Sequence, residues 1–127
     1  NDGDRAALLA HPDVLVFDEA PLRERRTRVA VEGARVVGFA TTRATGDVDE
    51  LDDLFVDPDH HRRGIARRLI DDAVGRSRSR GATRLEVTAN GEALAFYDAV
   101  GFVHDGTTTT RFGSGHRMHL DLGPSDA

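Results

Sequence analysis

The stretch Leu54-Phe55-Val56-Asp57-Pro58-Asp59-His60-His61-Arg62-Arg63-Gly64-Ile65-Ala66 runs from an apolar strand segment through a polar loop into the start of a helix. A loop that feeds a helix start presents unpaired backbone amides and the positive end of the helix dipole, which together attract an anion. Gly64 lacks the Cβ that would obstruct a phosphate, Ala66 keeps the next turn slim, and Arg62 and Arg63 add positive charge beside it. No Lys-Ser or Lys-Thr follows, as a P-loop requires, and one glycine stands where a dinucleotide fingerprint needs three. The segment therefore reads as a phosphate site of another kind.

Working outward, the spacing of Ala66, Leu69, Ile70, Ala73 and Val74 predicts an amphipathic helix over residues 64–80, stopped by Gly81. On its polar face Arg67 and Asp71, and Arg68 and Asp72, stand four residues apart and are expected to pair. Arg76, Arg78 and Arg80 read as a solvated helix end that suits the dipole, or as a source of one contact to a ligand phosphate. Before the loop, residues 50–56 form a strand. Before that, Val29 and Val31, then Val37 and Phe39, alternate with polar neighbours around Gly33-Ala34, a hairpin over residues 28–43 with a II′ turn. After the helix come a short strand over residues 85–89 and a second helix with Ala93, Phe96, Tyr97 and Val100 on one face, capped by Asn90 and closed by Gly101. Met118, Leu120 and Leu122 alternate in a final strand, and the run from Thr107 to Thr110 is β-prone. Residues 6–10 read as a short helix ended by Pro12. The order, hairpin–strand–helix–strand–helix–strand, is that of a mixed α/β or α+β sheet with at least one βαβ crossover.

Two motifs in this order resemble the GCN5-related N-acetyltransferase (GNAT) family. The first, His61-Arg62-Arg63-Gly64-Ile65-Ala66, is similar to the family's Arg or Gln, two residues, Gly, any residue, Gly or Ala, and follows a strand ending Leu54-Phe55-Val56-Asp57-Pro58. The second comprises Asn90, Ala93, Phe96-Tyr97 and Gly101-Phe102. The resemblance covers roughly residues 28–122. It implies a mostly antiparallel central sheet flanked by helices, with a βαβ core that binds acetyl-CoA, in one domain over residues 1–127 whose first 27 form a short, variable segment. His61 stands where the family usually has Arg or Gln; an imidazole can still donate a hydrogen bond. Family members usually carry a first strand and one or two helices over the acceptor pocket, where this chain has those 27 residues.

The resemblance further implies direct attack of an amine, on a small molecule or a peptide, at the thioester of bound acetyl-CoA. The cofactor-binding residues it implies are Leu54, Phe55 and Val56, whose backbone amides hold pantetheine and the thioester oxygen, together with His61, Arg62, Arg63, Gly64, Ile65, Ala66, Arg67, Asn90, Phe96 and Tyr97. Tyr97 is the family's usual general acid; it also shares the apolar face of its helix, as a core residue would. Glu50 lies four residues before Leu54, where some histone-acetylating members carry a glutamate base. Asp47, Asp49, Asp52 and Asp53 surround it in sequence, and crowded like charges would raise its proton affinity. The same stretch also reads as a solvated acidic patch that attracts cationic acceptors, and many members of the family use water chains as base. A non-catalytic acyl-CoA-binding domain on the same fold is the alternative reading; a binder would not need the acid.

Composition bounds the rest. With 127 residues, 39% apolar and 31% charged of mixed sign, the chain suits one ordinary core. No apolar run approaches the roughly 18 residues of a membrane span, so no membrane association is expected. Cysteine is absent, which excludes disulfides, thiolate metal sites and a cysteine nucleophile and fits a cytoplasmic setting. Net charge is −5, against nucleic-acid binding and in favour of cationic partners such as amines. No metal is expected: Asp57, Asp59, His60 and His61 point in different directions, and no second cluster completes a shell. The family resemblance points to a homodimer, although no seam is legible.

Overall fold

The computed structural model describes residues 25–60 and 64–123. The helix expected over residues 6–10 lies outside them. The elements are strands β1 (Arg25–Glu32), β2 (Arg35–Ala44) and β3 (Val48–Val56), helix α1 (Ile65–Ser79), strand β4 (Arg84–Ala89), helix α2 (Leu94–Ala99), and strands β5 (Val103–Thr110) and β6 (Gly113–Asp121). Among the described residues no helix is long and apolar enough to cross a membrane.

Among the described residues the strands form one six-stranded sheet in the order β1-β2-β3-β4-β6-β5. All neighbours are antiparallel except β3 and β4, the parallel pair that α1 connects. The hairpin turns at Gly33-Ala34, where Gly33 takes a φ of 63°, the positive value a two-residue hairpin loop demands. At Gly38 the strands come closer than a side chain allows: a Cβ there would lie 2.7 Å from the Phe55 carbonyl oxygen.

Alternation sorts the sheet into two faces. Leu51, Leu85, Val87 and Met118 point to the side covered by both helices and form the core with Leu69, Ile70 and Ala73 of α1, Tyr97 of α2 and Phe102. A buried polar knot anchors the end of α1 to β3: Ser77 Oγ donates to Asp49 Oδ2 at 2.6 Å, and Arg80 donates to the same carboxylate. Arg78 Nε donates to the Leu122 carbonyl at 2.8 Å. Two of the three arginines read as a solvated helix end are thus structural ties. The Arg68–Asp72 pairing is also corrected, because Asp72 accepts two hydrogen bonds from Arg28 of β1, at 3.0 and 3.1 Å. A helix surface residue can reach a neighbouring strand as easily as its own next turn. β5 is longer than its threonine run indicated; its residues are mostly exposed, so little apolar alternation marks it.

Candidate active site

The site begins where two strands part. β3 and β4 pair only from Val48↔Arg84 to Leu51↔Val87. Beyond Leu51 the β3 register against β2 jumps, from Thr42↔Leu51 to Thr41↔Asp53, leaving Asp52 as an extra residue. Such a bulge bends its strand, here away from β4. The result is a fork between β3 and β4. The Asp57 amide donates to Val37 at 2.8 Å, so strand alternation turns the Phe55 amide toward β2 as well. The amides of Leu54 and Val56 then face the fork.

Past the fork the chain makes a 3₁₀ turn over Pro58–His60. Asp57, 3% exposed, shapes it: Oδ1 accepts from the Asp59 amide at 3.0 Å and Oδ2 from Arg35 Nη2 at 3.4 Å. His61, Arg62 and Arg63 lie outside the described residues. Gly64 follows as the N-cap of α1, in the left-handed region at φ 76°, and makes no side-chain cap to the first turn. A Cβ at Gly64 would meet nothing within 4 Å, so backbone conformation rather than crowding within the protein selects glycine here. The first-turn amides of α1 therefore remain available as anion donors.

These elements line a cleft of about 610 Å³ bounded by Leu54, Val56, His60, Gly64, Ile65, Ala66, Arg67, Glu92, Ala93, Phe96 and Tyr97. Asn90 does not line it. Asn90 Oδ1 accepts from the Ala93 amide at 2.9 Å, capping the 3₁₀ turn Gly91–Ala93 that leads into α2. It thereby orients the helix that carries Phe96 and Tyr97. Phe55 points to the opposite face, where its ring stands 5.7 Å from that of Phe39; only its backbone belongs to this wall. Tyr97 is 6% exposed and packs edge-on against Phe96 and Phe102, each at 5.2 Å between ring centroids. Burial pushes its phenol up to about 12, so it stays a protonated donor at any working pH.

Glu50 lies apart from the cleft lining, on the sheet face away from the helices. Of the sequence neighbours expected to crowd it, Asp49 and Asp52 are held elsewhere, and the carboxylate opposite Glu50 is Glu86 of β4. Arg117 of β6 donates to Glu50 Oε2 at 2.7 Å and to Oε1 at 3.1 Å, while Asp49 turns to Ser77 and Asp52 is bound by Arg43. The same guanidinium reaches Glu86 at 2.8 Å and Thr88 at 2.8 Å. Contact with Glu50 and Glu86 raises the Arg117 pKa further above its ordinary value, against the opposing effect of burial.

Sequence reasoning missed His60 and Glu92 in the cleft wall, and Glu86 and Arg117 on the opposite face. His60 Nδ1 is the buried side-chain nitrogen or oxygen without a hydrogen-bond partner among the described residues; Asp57 Oδ2 lies 3.9 Å from it. No sequence signal joins Arg117 to Glu50, 67 residues earlier, because their meeting depends on strand order.

The sequence and the fold have counterparts among known proteins. Residues 18–122 match the family model described as "Acetyltransferase (GNAT) domain". The chain is similar to ribosomal protein bS18–alanine N-acetyltransferase of Salmonella typhimurium, 38% identical over 71 residues, 54% of this chain and 48% of that protein. It is also similar to glucosamine 6-phosphate N-acetyltransferase 1 of Oryza sativa subsp. japonica, 33% identical over 98 residues, 77% of this chain and 57% of the relative. The chain spans about half the length of the curated relatives it matches. The crystal structure of an aminoglycoside 6′-N-acetyltransferase complexed with coenzyme A shares its fold, with a TM-score of 0.77 at 17% identity, over 95% of this chain and 89% of that one. From the strand fork to the closing Gly101-Phe102 after α2, the chain belongs to the GNAT acetyltransferase family.

Proposed function

We propose that the protein transfers the acetyl group of acetyl-CoA to a primary amine of a small molecule or a peptide by direct attack. The observation that carries this reading is the fork: the amides of Leu54 and Val56 open onto it, and the cleft beneath joins it to the uncapped start of α1. An extended acyl-pantetheine has the shape of such a cleft, and its pyrophosphate has the charge that a helix start and Arg67 favour. The relatives' printed names, N-acetyltransferases of a ribosomal protein alanine and of glucosamine 6-phosphate, support an amine acceptor.

Each residue's task follows from its chemistry. The Leu54 and Val56 amides donate to the thioester oxygen as negative charge develops there. The attacking nitrogen forms its bond to the acetyl carbon, the C–S bond breaks, and Tyr97 donates its hydroxyl proton toward the departing sulfur. The amine's own proton leaves toward the carboxylate-lined face or to water. Replacing Tyr97 with Phe removes the donor while keeping the ring. The expected result is a loss of kcat on the order of 10²-fold with little change in acetyl-CoA affinity. A variant that keeps full kcat would exclude Tyr97 as the acid.

A further inference from the structure

Glu50 and Glu86 stand directly opposite one another in the parallel register of β3 and β4, one rung before the strands separate. Like charges so placed repel. Arg117, opposite Thr88 in the β4–β6 register, reaches across β4 and fills the space between them. Its Nη1 donates to Glu50 Oε2 at 2.7 Å and Thr88 Oγ1 at 2.8 Å; its Nη2 donates to Glu50 Oε1 at 3.1 Å and Glu86 Oε1 at 2.8 Å. All four hydrogens on the two terminal nitrogens are thereby used, and both Glu50 oxygens are held. The side chains are 15%, 26% and 30% exposed for Glu50, Glu86 and Arg117, so solvent screens them only in part.

The surrounding charges are themselves engaged. Arg43, opposite Glu50 in β2, donates to Asp52 at 3.0 Å. Arg84 lies 3.6 Å from Glu86 Oε2 and 3.4 Å from Asp121. His119, opposite Glu86 in β6, lies 2.7 Å from Asp105. Asp53 follows on β3 and is exposed. Two carboxylates and one guanidinium leave the trio one net negative charge at the base of the fork.

We propose that Arg117 is a positioning residue for the acceptor, holding the Glu50/Glu86 pair in place so that the net negative charge of the trio meets a cationic amine where it enters the fork. The proposal rests on the reading that the protein transfers acetyl from acetyl-CoA to an amine. It deepens that reading by naming the acceptor class, an alkylammonium rather than a neutral arylamine. Without the guanidinium, the two facing carboxylates are left with no donor between them, which disfavours the doubly charged pair.

The test combines carboxyl carbon-13 NMR titration of Glu50 and Glu86, assigned with E50Q and E86Q, with steady-state kinetics on an alkylamine and an arylamine. In Arg117→Met, one of the two carboxyls is expected to titrate roughly one unit or more higher than in the wild type. The KM for the alkylamine should rise roughly tenfold, the equivalent of one such unit, while the KM for acetyl-CoA stays within about twofold. Arg117→Lys keeps the charge but not the two-point hold, so it should restore the titration and only part of the KM. If Arg117→Met fails to fold by circular dichroism, Arg117→Lys and Glu86→Gln supply the kinetic comparison, each expected to raise the alkylamine KM alone. Carboxyls that titrate in Arg117→Met as in the wild type would overturn the clamp. A KM change shared equally by both amines and acetyl-CoA would reduce Arg117 to a structural tie. Wild-type inactivity on every amine would sink the transferase reading and the acceptor role together, and is told apart from failure of the clamp by the NMR titration.

Discussion

Tyr97 is the chain's single tyrosine, and tryptophan is absent, so tyrosinate absorbance reports one group. The expected midpoint in the folded protein is about 12; a midpoint at the ordinary 10 would show that the phenol is not buried as described. A consequence for stability follows from linkage. Between pH 10 and about 12 the native phenol keeps a proton that the unfolded chain has lost. The contribution of Tyr97 is therefore intact below pH 10 and declines as pH rises through that window. Denaturant melts of the wild type and Tyr97→Phe should differ in their dependence on pH there and nowhere lower. Gly64 is the other residue whose role is conformational. Gly64→Ala forces a Cβ into the left-handed region at φ 76°, at a cost of about 1–2 kcal/mol. Chemical denaturation should register that loss, together with weaker binding of coenzyme A by calorimetry; unchanged stability would mean that the loop relaxes freely.

At the scale of elements, the hairpin, the strand before the loop and both helices were legible because their periodicities are strong. α1 carries its apolar residues at helical spacing and starts and stops at glycines, Gly64 and Gly81, both with positive φ. What remained unreadable depended on one element meeting another. The bulge at Asp52, which opens the fork, is a register shift against β2 that no local pattern encodes. Glu50 looked crowded because its neighbours in sequence are acidic, yet alternation sends Asp49 to the helix side, and strand order brings Arg117 to Glu50. Phe55 sits between two cleft residues in sequence and on the other face in space, for the same period-two reason. Two substitutions probe the joints between elements. Gly38→Ala places a Cβ 2.7 Å from the Phe55 carbonyl oxygen, so the β2–β3 pair must shift, with an expected cost of about 1–3 kcal/mol. Asp49→Ala strands Ser77 and Arg80 and should cost about 3 kcal/mol in denaturant unfolding. Losses under about 0.5 kcal/mol would mean that these contacts are dispensable.

Over the whole molecule, one sheet divides the labour. Its helix-covered face carries the core and the cleft; its other face carries the paired charges Glu50, Glu86 and Arg117. The fork between β3 and β4 opens between the two faces. A net charge of −5 suits a cationic acceptor, so the acceptor KM should rise with ionic strength while that for acetyl-CoA does not rise in parallel. The most direct measurement incubates the protein with acetyl-CoA carrying an isotopically labelled acetyl group and a panel of alkylamines, arylamines and peptides, following free thiol and N-acetyl product by mass spectrometry. The expected result is labelled N-acetyl amine formed in step with coenzyme A release, fastest on a primary alkylamine or a peptide amine. Tight acetyl-CoA binding with no labelled product on any amine would contradict the transferase reading and leave a binding domain on the same fold.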